Sequence, residues 1–206
     1  MAKKGILITG GSGLVGAYAV QMLMERGERP VIFDVALNER LLGAVGVDTS
    51  KVTMIRGDMA DMPALISAIR DNDCDQIIHL AAFLGEEVQR RPYSGVRLNF
   101  MGTINVFEAA RLENVKRVVF PSSGTVYLGS LGEGVKQIDE NIPMNPPSVY
   151  AATKASCEFM GRAYAKRYGF EFICLRYTGG LYGPSPAGLK ATREIAIQQM
   201  VRAAVK

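Results

Sequence analysis

A tyrosine and a lysine stand four residues apart in the segment YAATK, as Tyr150 and Lys154. In a helix this spacing places both side chains on one face. A tyrosine phenol ordinarily loses its proton at about pH 10, and a neighbouring ammonium group lowers that pKa. We therefore expect Tyr150 to act as a general acid or base near neutral pH.

The segment PSSGTVY supplies a hydroxyl that could work with this tyrosine. Ser123 directly follows a strand-like run, and open α/β sheets bind ligands at the edge where their strands end. We expect Ser123 to hydrogen-bond the substrate oxygen that Tyr150 protonates or deprotonates, a role that Ser122 or Thr125 could share. A tyrosine–lysine pair on an exposed helix and a serine that caps a loop are the simpler interpretations.

Three glycines near the N-terminus have the spacing of a phosphate-binding turn. Gly10, Gly13 and Gly16 follow the apolar run GILIT and open a helical stretch that begins with Leu14 and Val15. A helix N-terminus presents unpaired N–H groups and partial positive charge, and residues without Cβ let a pyrophosphate reach them. A tight turn that merely uses glycine is the alternative.

An aspartate ends the second predicted strand, as Asp34 in PVIFDV. A carboxylate at this place accepts hydrogen bonds from both hydroxyls of an adenosine ribose and repels a 2′-phosphate. No arginine directly follows Asp34. The glycines and this aspartate together predict a dinucleotide site that prefers NAD to NADP.

Short apolar runs alternate with helical stretches along the chain. We predict strands over 5–9, 30–35, 51–58, 76–83, 117–123 and 170–177, and helices over 14–27, 62–71, 92–113 and 149–168. This alternation is typical of an α/β protein with a doubly wound parallel sheet, the Rossmann fold, with helices on both faces and strand order 3-2-1-4-5-6. We expect an NAD-binding domain that carries the catalytic residues over 1–190, and a C-terminal helix over 191–206.

Composition excludes several functions. The 206 residues are 48% hydrophobic with a net charge of +4, an ordinary globular balance. We find no basic aromatic platform for nucleic acid, no apolar stretch long enough to span a membrane and no signal peptide. The three cysteines lack CxxC spacing, which favours reduced thiols and a cytoplasmic location. The single histidine, His79, excludes a His-rich metal site, and we expect it to pack in a strand near the cofactor.

These segments together resemble the extended branch of the short-chain dehydrogenase/reductase superfamily, the NAD-dependent epimerase/dehydratase family. The resemblance runs from about Lys3 to Pro184. Its motifs are TGGSGLVG, the Gly-Asp pair at 57–58, HLAA at 79–82, the helix asparagine Asn99, SSGTVY, YAATK and YGP at 182–184.

The resemblance implies NAD as cofactor and assigns residues to it. The implied cofactor contacts are Gly10, Gly13, Leu14, Val15, Gly16, Asp34, Asp58, Met59, Leu80, Ala81, Ala82, Asn99, Tyr150, Lys154 and Tyr177. The implied catalytic residues are Ser123, Tyr150 and Lys154. Tyr150 removes a hydroxyl proton while the adjacent C–H gives a hydride to NAD⁺, Ser123 orients the oxygen, and Lys154 holds the ribose and tunes Tyr150. The resemblance also implies a homodimer, formed through a four-helix bundle of the helices at 92–113 and 149–168.

The sequence departs from the family pattern in three places. Gly124 and Thr125 stand where dehydratases carry an acidic pair, which leaves an epimerase or dehydrogenase acting on a sugar, expected to be nucleotide-linked. The segment RYTGGLYGP lacks the asparagine of many epimerases and has one extra residue. Family members continue past the position of Lys206 into a small substrate domain. The alternative is therefore a truncated NAD-binding fragment or pseudo-enzyme without turnover.

Overall fold

Six parallel strands form one sheet in the computed structural model, which describes residues 3–131 and 139–177. The strands are β1 (Gly5–Thr9), β2 (Arg29–Asp34), β3 (Thr53–Arg56), β4 (Cys74–His79), β5 (Arg117–Ser123) and β6 (Glu171–Tyr177). Their order is β3-β2-β1-β4-β5-β6, and every neighbouring pair is parallel. The predicted doubly wound sheet of order 3-2-1-4-5-6 is confirmed.

Seven α-helices connect and cover the strands in the described part of the chain. They are α1 (Leu14–Glu25), α2 (Glu39–Ala44), α3 (Met62–Asp71), α4 (Gly85–Arg90), α5 (Pro92–Val96), α6 (Thr103–Leu112) and α7 (Val149–Tyr168). A π-helical turn, Arg97–Gly102, joins α5 to α6, and 3₁₀ turns cover Thr49–Lys51 and Gly124–Ser130. The long helix predicted over 92–113 is thus one helical run that contains a π-helical turn.

Local signals fix the ends of the two helices that bear the predicted site. The chain leaves α1 through Gly27, whose φ of 67° lies in the left-handed region that favours glycine. Helix α7 begins after Ser148, whose hydroxyl accepts a hydrogen bond of 3.2 Å from the N–H of Ala151. It ends at Gly169, with φ 84°. These ends place Tyr150 in the first turn of α7.

Both faces of the sheet are buried. Successive strand residues point to opposite faces, so Leu7 and Val31 pack in one cluster with Phe107 of α6, while Ile8 and Ile32 pack in a second cluster. A sheet packed on two sides leaves its strand ends as the natural place for a ligand. The carboxyl ends of β1, β2, β4, β5 and β6 all carry residues of the predicted site.

Several predictions fall outside the described residues. They are the YGP segment at 182–184, the C-terminal helix expected over 191–206 and the expected domain boundary at residue 190. Within the two described ranges, no helix combines the length and apolar character needed to cross a membrane.

Candidate active site

The glycine turn between β1 and α1 can accommodate only glycine at two of its positions. Gly10 has a φ of 71°, and a Cβ on it would lie 2.7 Å from the backbone nitrogen of Ala81. A Cβ on Gly16 would lie 2.3 Å from the carbonyl oxygen of Gly10. The turn therefore packs tightly both on the start of α1 and on the segment that follows β4.

The N-terminus of α1 has the donors that a phosphate requires. The N-cap residue is Gly13, so no side chain accepts a hydrogen bond from the first N–H groups of the helix. No acidic residue occupies the first turn. The first N–H groups of a helix, here those of Leu14 and Val15, have no acceptor within the helix. The exposed, side-chain-free Gly13 leaves space in front of them, so the turn fits a pyrophosphate.

Asp34 lies beside the glycine turn. Its Oδ2 accepts a hydrogen bond of 3.0 Å from the N–H of Ser12, and its Oδ1 accepts one of 3.3 Å from the N–H of Ala36. These bonds hold the carboxylate at the end of β2 with oxygen lone pairs still available. The two features from which the sequence predicts a dinucleotide site are therefore neighbours in space.

The turn after β3 contains the predicted Asp58 and Met59. Asp58 is exposed, and its Oδ1 accepts a hydrogen bond of 2.8 Å from the N–H of Ala60. The Met59 side chain is buried, and its Cε lies 2.5 Å from where a Cβ on Gly102 would stand. The Met59 side chain therefore packs in the core rather than facing a ligand. Asn105, which sequence reasoning missed, donates through Nδ2 to the Met59 carbonyl at 3.0 Å.

The segment after β4 is held from two sides. The N–H of Leu80 donates to the carbonyl of Thr9 at 2.9 Å, and Ala81 packs against Gly10. Asn99, which is buried in the π-helical turn, accepts from the N–H of Phe83 at 2.8 Å and donates to the Phe83 carbonyl at 2.9 Å. Asn99 thus fixes the backbone of this segment, and Ala81 and Ala82 remain partly exposed.

Ser123 and Tyr150 meet at the carboxyl edge of the sheet. Ser123 ends β5, and its hydroxyl interacts with the Tyr150 phenol in the direction that lowers the pKa of Tyr150. The Thr125 hydroxyl donates to Ser123 Oγ at 2.9 Å, and Ser122 is 3% exposed. Of the three candidate hydroxyls, Ser123 is the one that acts on the pKa of Tyr150.

Lys154 lies behind Tyr150, one helical turn further along α7. Its Nζ is 5.9 Å from the centre of the Tyr150 ring and donates a hydrogen bond of 2.8 Å to the carbonyl of Pro121. The same ammonium group lies 4.7 Å from the centre of the Phe120 ring. Burial of this side chain lowers the pKa of Lys154 to about 8.

The pKa of Tyr150 differs from the expectation. The sequence predicts a pKa lowered by Lys154, but burial raises the pKa of Tyr150, and the hydrogen bond from Ser123 opposes that rise without overcoming it. The ammonium group of Lys154 is hydrogen-bonded to Pro121 and does not reach the phenol oxygen. Tyr150 is therefore a neutral phenol at pH 7 in this state.

Glu158 extends the Tyr150–Lys154 pattern by four more residues, and sequence reasoning missed it. The carboxylate is fully buried, and it accepts from Arg176 Nε at 2.9 Å and from Arg162 Nη2 at 2.7 Å. Burial would raise the pKa of Glu158, but hydrogen bonds and the guanidinium charges lower it. Glu158 follows Lys154 by four residues, as Lys154 follows Tyr150, and this helical spacing is the signal by which the sequence could have identified it. This ion pair joins α7 to the end of β6, where Tyr177 is the Cα partner of Ser123.

Two known proteins of similar sequence cover most of this chain. A UDP-glucose 4-epimerase from Halalkalibacterium halodurans is 32% identical over 185 residues, which cover 89% of this chain and 52% of that protein. A D-erythronate dehydrogenase from Cupriavidus necator is 30% identical over 79% of this chain and 51% of that protein. The chain thus spans about half the length of these two relatives.

A solved structure shares the fold as well as the sequence pattern. The UDP-glucose 4-epimerase from Thermus thermophilus, in complex with NAD, superposes with a TM-score of 0.79 and 32% sequence identity over 91% of this chain and 59% of that one. The sequence model of the NAD-dependent epimerase/dehydratase family matches residues 6–206, which is nearly the whole chain. The chain therefore belongs to the NAD-dependent epimerase/dehydratase family.

Proposed function

We propose that this chain carries the cofactor-binding and catalytic half of an NAD-dependent epimerase or dehydrogenase. Its reaction is hydride transfer at a hydroxyl-bearing carbon of a sugar, in a substrate of the nucleotide-sugar class. The observation that carries the proposal is the proximity of Ser123 and Tyr150, with Lys154 behind them, on the same sheet edge as the glycine turn. The similarity to a UDP-glucose 4-epimerase supports the substrate class.

The residues at the sheet edge fit NAD. The N–H groups of Leu14 and Val15 would hold the pyrophosphate, and Asp34 would accept hydrogen bonds from the adenosine ribose. Asp58 and the backbone of Met59 would border the adenine. When bound, NAD supplies the hydride acceptor for the oxidised carbon.

The remaining cofactor contacts would come from the other side of the crevice. Leu80, Ala81 and Ala82 would lie under the cofactor, on the backbone that Asn99 fixes. Lys154 would reach the second ribose by exchanging its hydrogen bond to Pro121 for one to a ribose hydroxyl. Tyr177, 40% exposed at the end of β6, would border the same crevice.

In this proposal Tyr150 takes the proton from the substrate hydroxyl, and Ser123 holds the same oxygen in place. Burial keeps the phenol neutral in the state described here, so additional positive charge is needed to form the phenolate. An ammonium group at Lys154 and a positively charged cofactor ring would both act in that direction. Gly124 and Thr125 offer no carboxylate for eliminating water, which favours epimerisation or oxidation over dehydration.

A second candidate function is NAD binding without turnover. The 206 residues span about half the length of those two relatives, and in this candidate they bind the cofactor without forming a complete substrate site. The two candidates share the cofactor site and differ in whether Tyr150 moves a proton.

Replacing Tyr150 by phenylalanine separates the two. The 206-residue chain would be mixed with NAD⁺ and UDP-glucose, and both reduced nicotinamide and the epimerised sugar would be measured. We expect Tyr150→Phe to lower turnover by a factor of about 10² to 10⁴ with little change in NAD affinity. Tyr168→Phe, at the far end of the same helix, is the matched control and should retain wild-type turnover. Equal turnover in wild type and Tyr150→Phe would contradict the assigned proton transfer, and no turnover in the wild type would favour the second candidate.

We also infer a homodimer, formed through α5, α6 and α7. Apolar side chains on these helices and on the π-helical turn remain exposed, among them Tyr93, Met101 and Phe159, at 76%, 50% and 58%. A second copy of the chain would cover them in a four-helix bundle.

A further inference from the structure

A chain of hydrogen bonds runs through the core from β1 to the π-helical turn. The N–H of Ala81 donates to Thr9 Oγ1 at 3.4 Å, and Thr9 Oγ1 lies 2.6 Å from His79 Nδ1. On the other side of the ring, His79 Nε2 lies 2.9 Å from Thr103 Oγ1, which donates to the carbonyl of Asn99 at 2.5 Å. Thr9, His79 and Thr103 are each at most 2% exposed, so water does not compete for these bonds.

The direction of every bond in this chain follows from counting hydrogens. A carbonyl can only accept, so the single hydroxyl hydrogen of Thr103 points to Asn99. Thr103 Oγ1 must then accept at its contact with His79, which places a hydrogen on Nε2. A neutral imidazole has only one N–H, so Nδ1 is the acceptor and the Thr9 hydroxyl donates to it.

The surroundings keep this ring neutral. Burial lowers the pKa of His79 to about 3, and the charge of Lys154 acts in the same direction. A protonated ring would carry hydrogens on both nitrogens, and the hydroxyl hydrogen of Thr9 would then oppose the one on Nδ1. The neutral Nε2–H form is therefore the one that satisfies every partner.

The two ends of this series of hydrogen bonds hold the same stretch of backbone. Thr9 binds the N–H of Ala81, and Asn99 binds both backbone groups of Phe83. Ala81 is also the residue against which Gly10 packs. His79 thus lies between the two anchors of the segment from Leu80 to Phe83.

We propose that His79, fixed as the Nε2–H tautomer, is a positioning residue that couples Thr9 beside the glycine turn to Asn99, and so holds the segment Leu80–Phe83 in the conformation that binds the cofactor. The coupling between Thr9 and Asn99 is a property of the polypeptide without any cofactor. Its effect on NAD affinity rests on the proposed function.

The tautomer can be observed directly, since His79 is the only histidine in the sequence. Nitrogen NMR of the uniformly labelled, untagged chain reports the state of each ring nitrogen between pH 6 and 8. We expect a hydrogen on Nε2 and none on Nδ1 throughout. A hydrogen on Nδ1, alone or in a protonated ring, would overturn the proposal.

The coupling is tested by a cycle of variants at the two threonines. Thr9→Val and Thr103→Val keep the side-chain shape but remove the hydroxyl, while Thr9→Ser and Thr103→Ser keep the hydroxyl. The first readout is hydrogen exchange at the N–H of Phe83, which neither threonine touches. We expect each valine variant to speed this exchange by about tenfold, and each serine variant to remain closer to the wild type.

The double valine variant gives the decisive comparison. If His79 couples the two sites, the double variant changes Phe83 exchange by clearly less than the product of the single effects. Independent, multiplying effects, or unchanged exchange in Thr9→Val, would overturn the proposal. NAD⁺ titration is the second readout, and we expect the valine variants to bind about tenfold more weakly. A wild type that binds no NAD⁺ would instead overturn the proposed function, while Phe83 exchange still decides the coupling.

Discussion

At the residue scale, the site depends on which acceptor receives the single hydrogen that each hydroxyl can donate. Thr125 donates to Ser123 Oγ, so the hydroxyl hydrogen of Ser123 remains available for Tyr150 or for a substrate oxygen. The sequence could predict that a hydroxyl at the end of β5 meets Tyr150, since both positions follow from the strand and helix pattern. It could not predict the raised pKa of Tyr150, because that depends on burial.

The pKa of His79 makes a prediction about stability. The side chain has a pKa of about 3 in the folded chain against an ordinary value of 6.5, so between these pH values the unfolded chain binds a proton that the folded chain does not. Stability therefore falls as pH drops below about 6.5, with a slope from this group of about 1.4 kcal/mol per pH unit.

Urea unfolding at several pH values between 6 and 4.5 measures this slope. We expect the unfolding free energy of His79→Gln to fall less steeply than that of the wild type, by about that amount per pH unit. The comparison of slopes does not depend on how much the substitution itself destabilises the fold. Parallel curves for the two proteins would show that His79 is protonated in the folded chain or exposed to solvent.

At the element scale, the strands and the long helices were predictable, and the short helices were not. Helices α3 and α7 begin and end at the predicted residues, because their apolar periodicity and caps agree. Helices α2 and α4 have six residues each, too few to show a helical period. The π-helical turn around Asn99 is a shift of backbone hydrogen bonds, which the apolar pattern of a helix does not encode.

The glycine turn gives a prediction with an internal control. A Cβ on Gly16 would lie 2.3 Å from the Gly10 carbonyl oxygen, whereas a Cβ on Gly43 in α2 would meet nothing within 4 Å. We expect Gly16→Ala to destabilise the chain by about 1–3 kcal/mol and to weaken NAD binding. Gly43→Ala should stabilise the chain by about 0.5–1 kcal/mol.

Urea unfolding and NAD⁺ titration of both variants check this pair. An alanine at position 16 that leaves stability and affinity at wild-type values would show that α1 can move away from the sheet. That result would remove the structural reason for the glycine and weaken the case for a fixed phosphate site.

At the scale of the whole molecule, distant parts of the chain reach one sheet edge. Five separate segments of the chain contribute to the site. They carry the glycine turn, Asp34, the backbone after β4, Ser123 and Tyr150. Parallel strands bring them together, so the fold class already predicted that they would be neighbours. The sequence did not predict the ion pair of Glu158 and Arg176, which joins α7 to β6 around the buried Glu158 carboxylate.

The proposed dimer makes a prediction about mass. The chain has a mass of 22.3 kDa, and we expect twice that value in analytical ultracentrifugation at micromolar concentration. Tyr93→Glu combined with Phe159→Glu should give monomers, since each places a charge in the proposed interface. Met22→Glu, at an exposed position on α1, is the control and should remain dimeric. A wild-type monomer would contradict the proposed bundle.

Binding of NAD⁺ and NADP⁺ to the 206-residue chain, measured by native mass spectrometry alongside Asp34→Asn, tests the central claim most directly. We expect one NAD⁺ per chain and much weaker binding of NADP⁺, because the carboxylate of Asp34 beside the glycine turn repels a 2′-phosphate. Asp34→Asn should reduce this preference. Failure to bind either cofactor, or equal binding of both by the wild type, would contradict the assignment of the glycine turn and Asp34 to an NAD site.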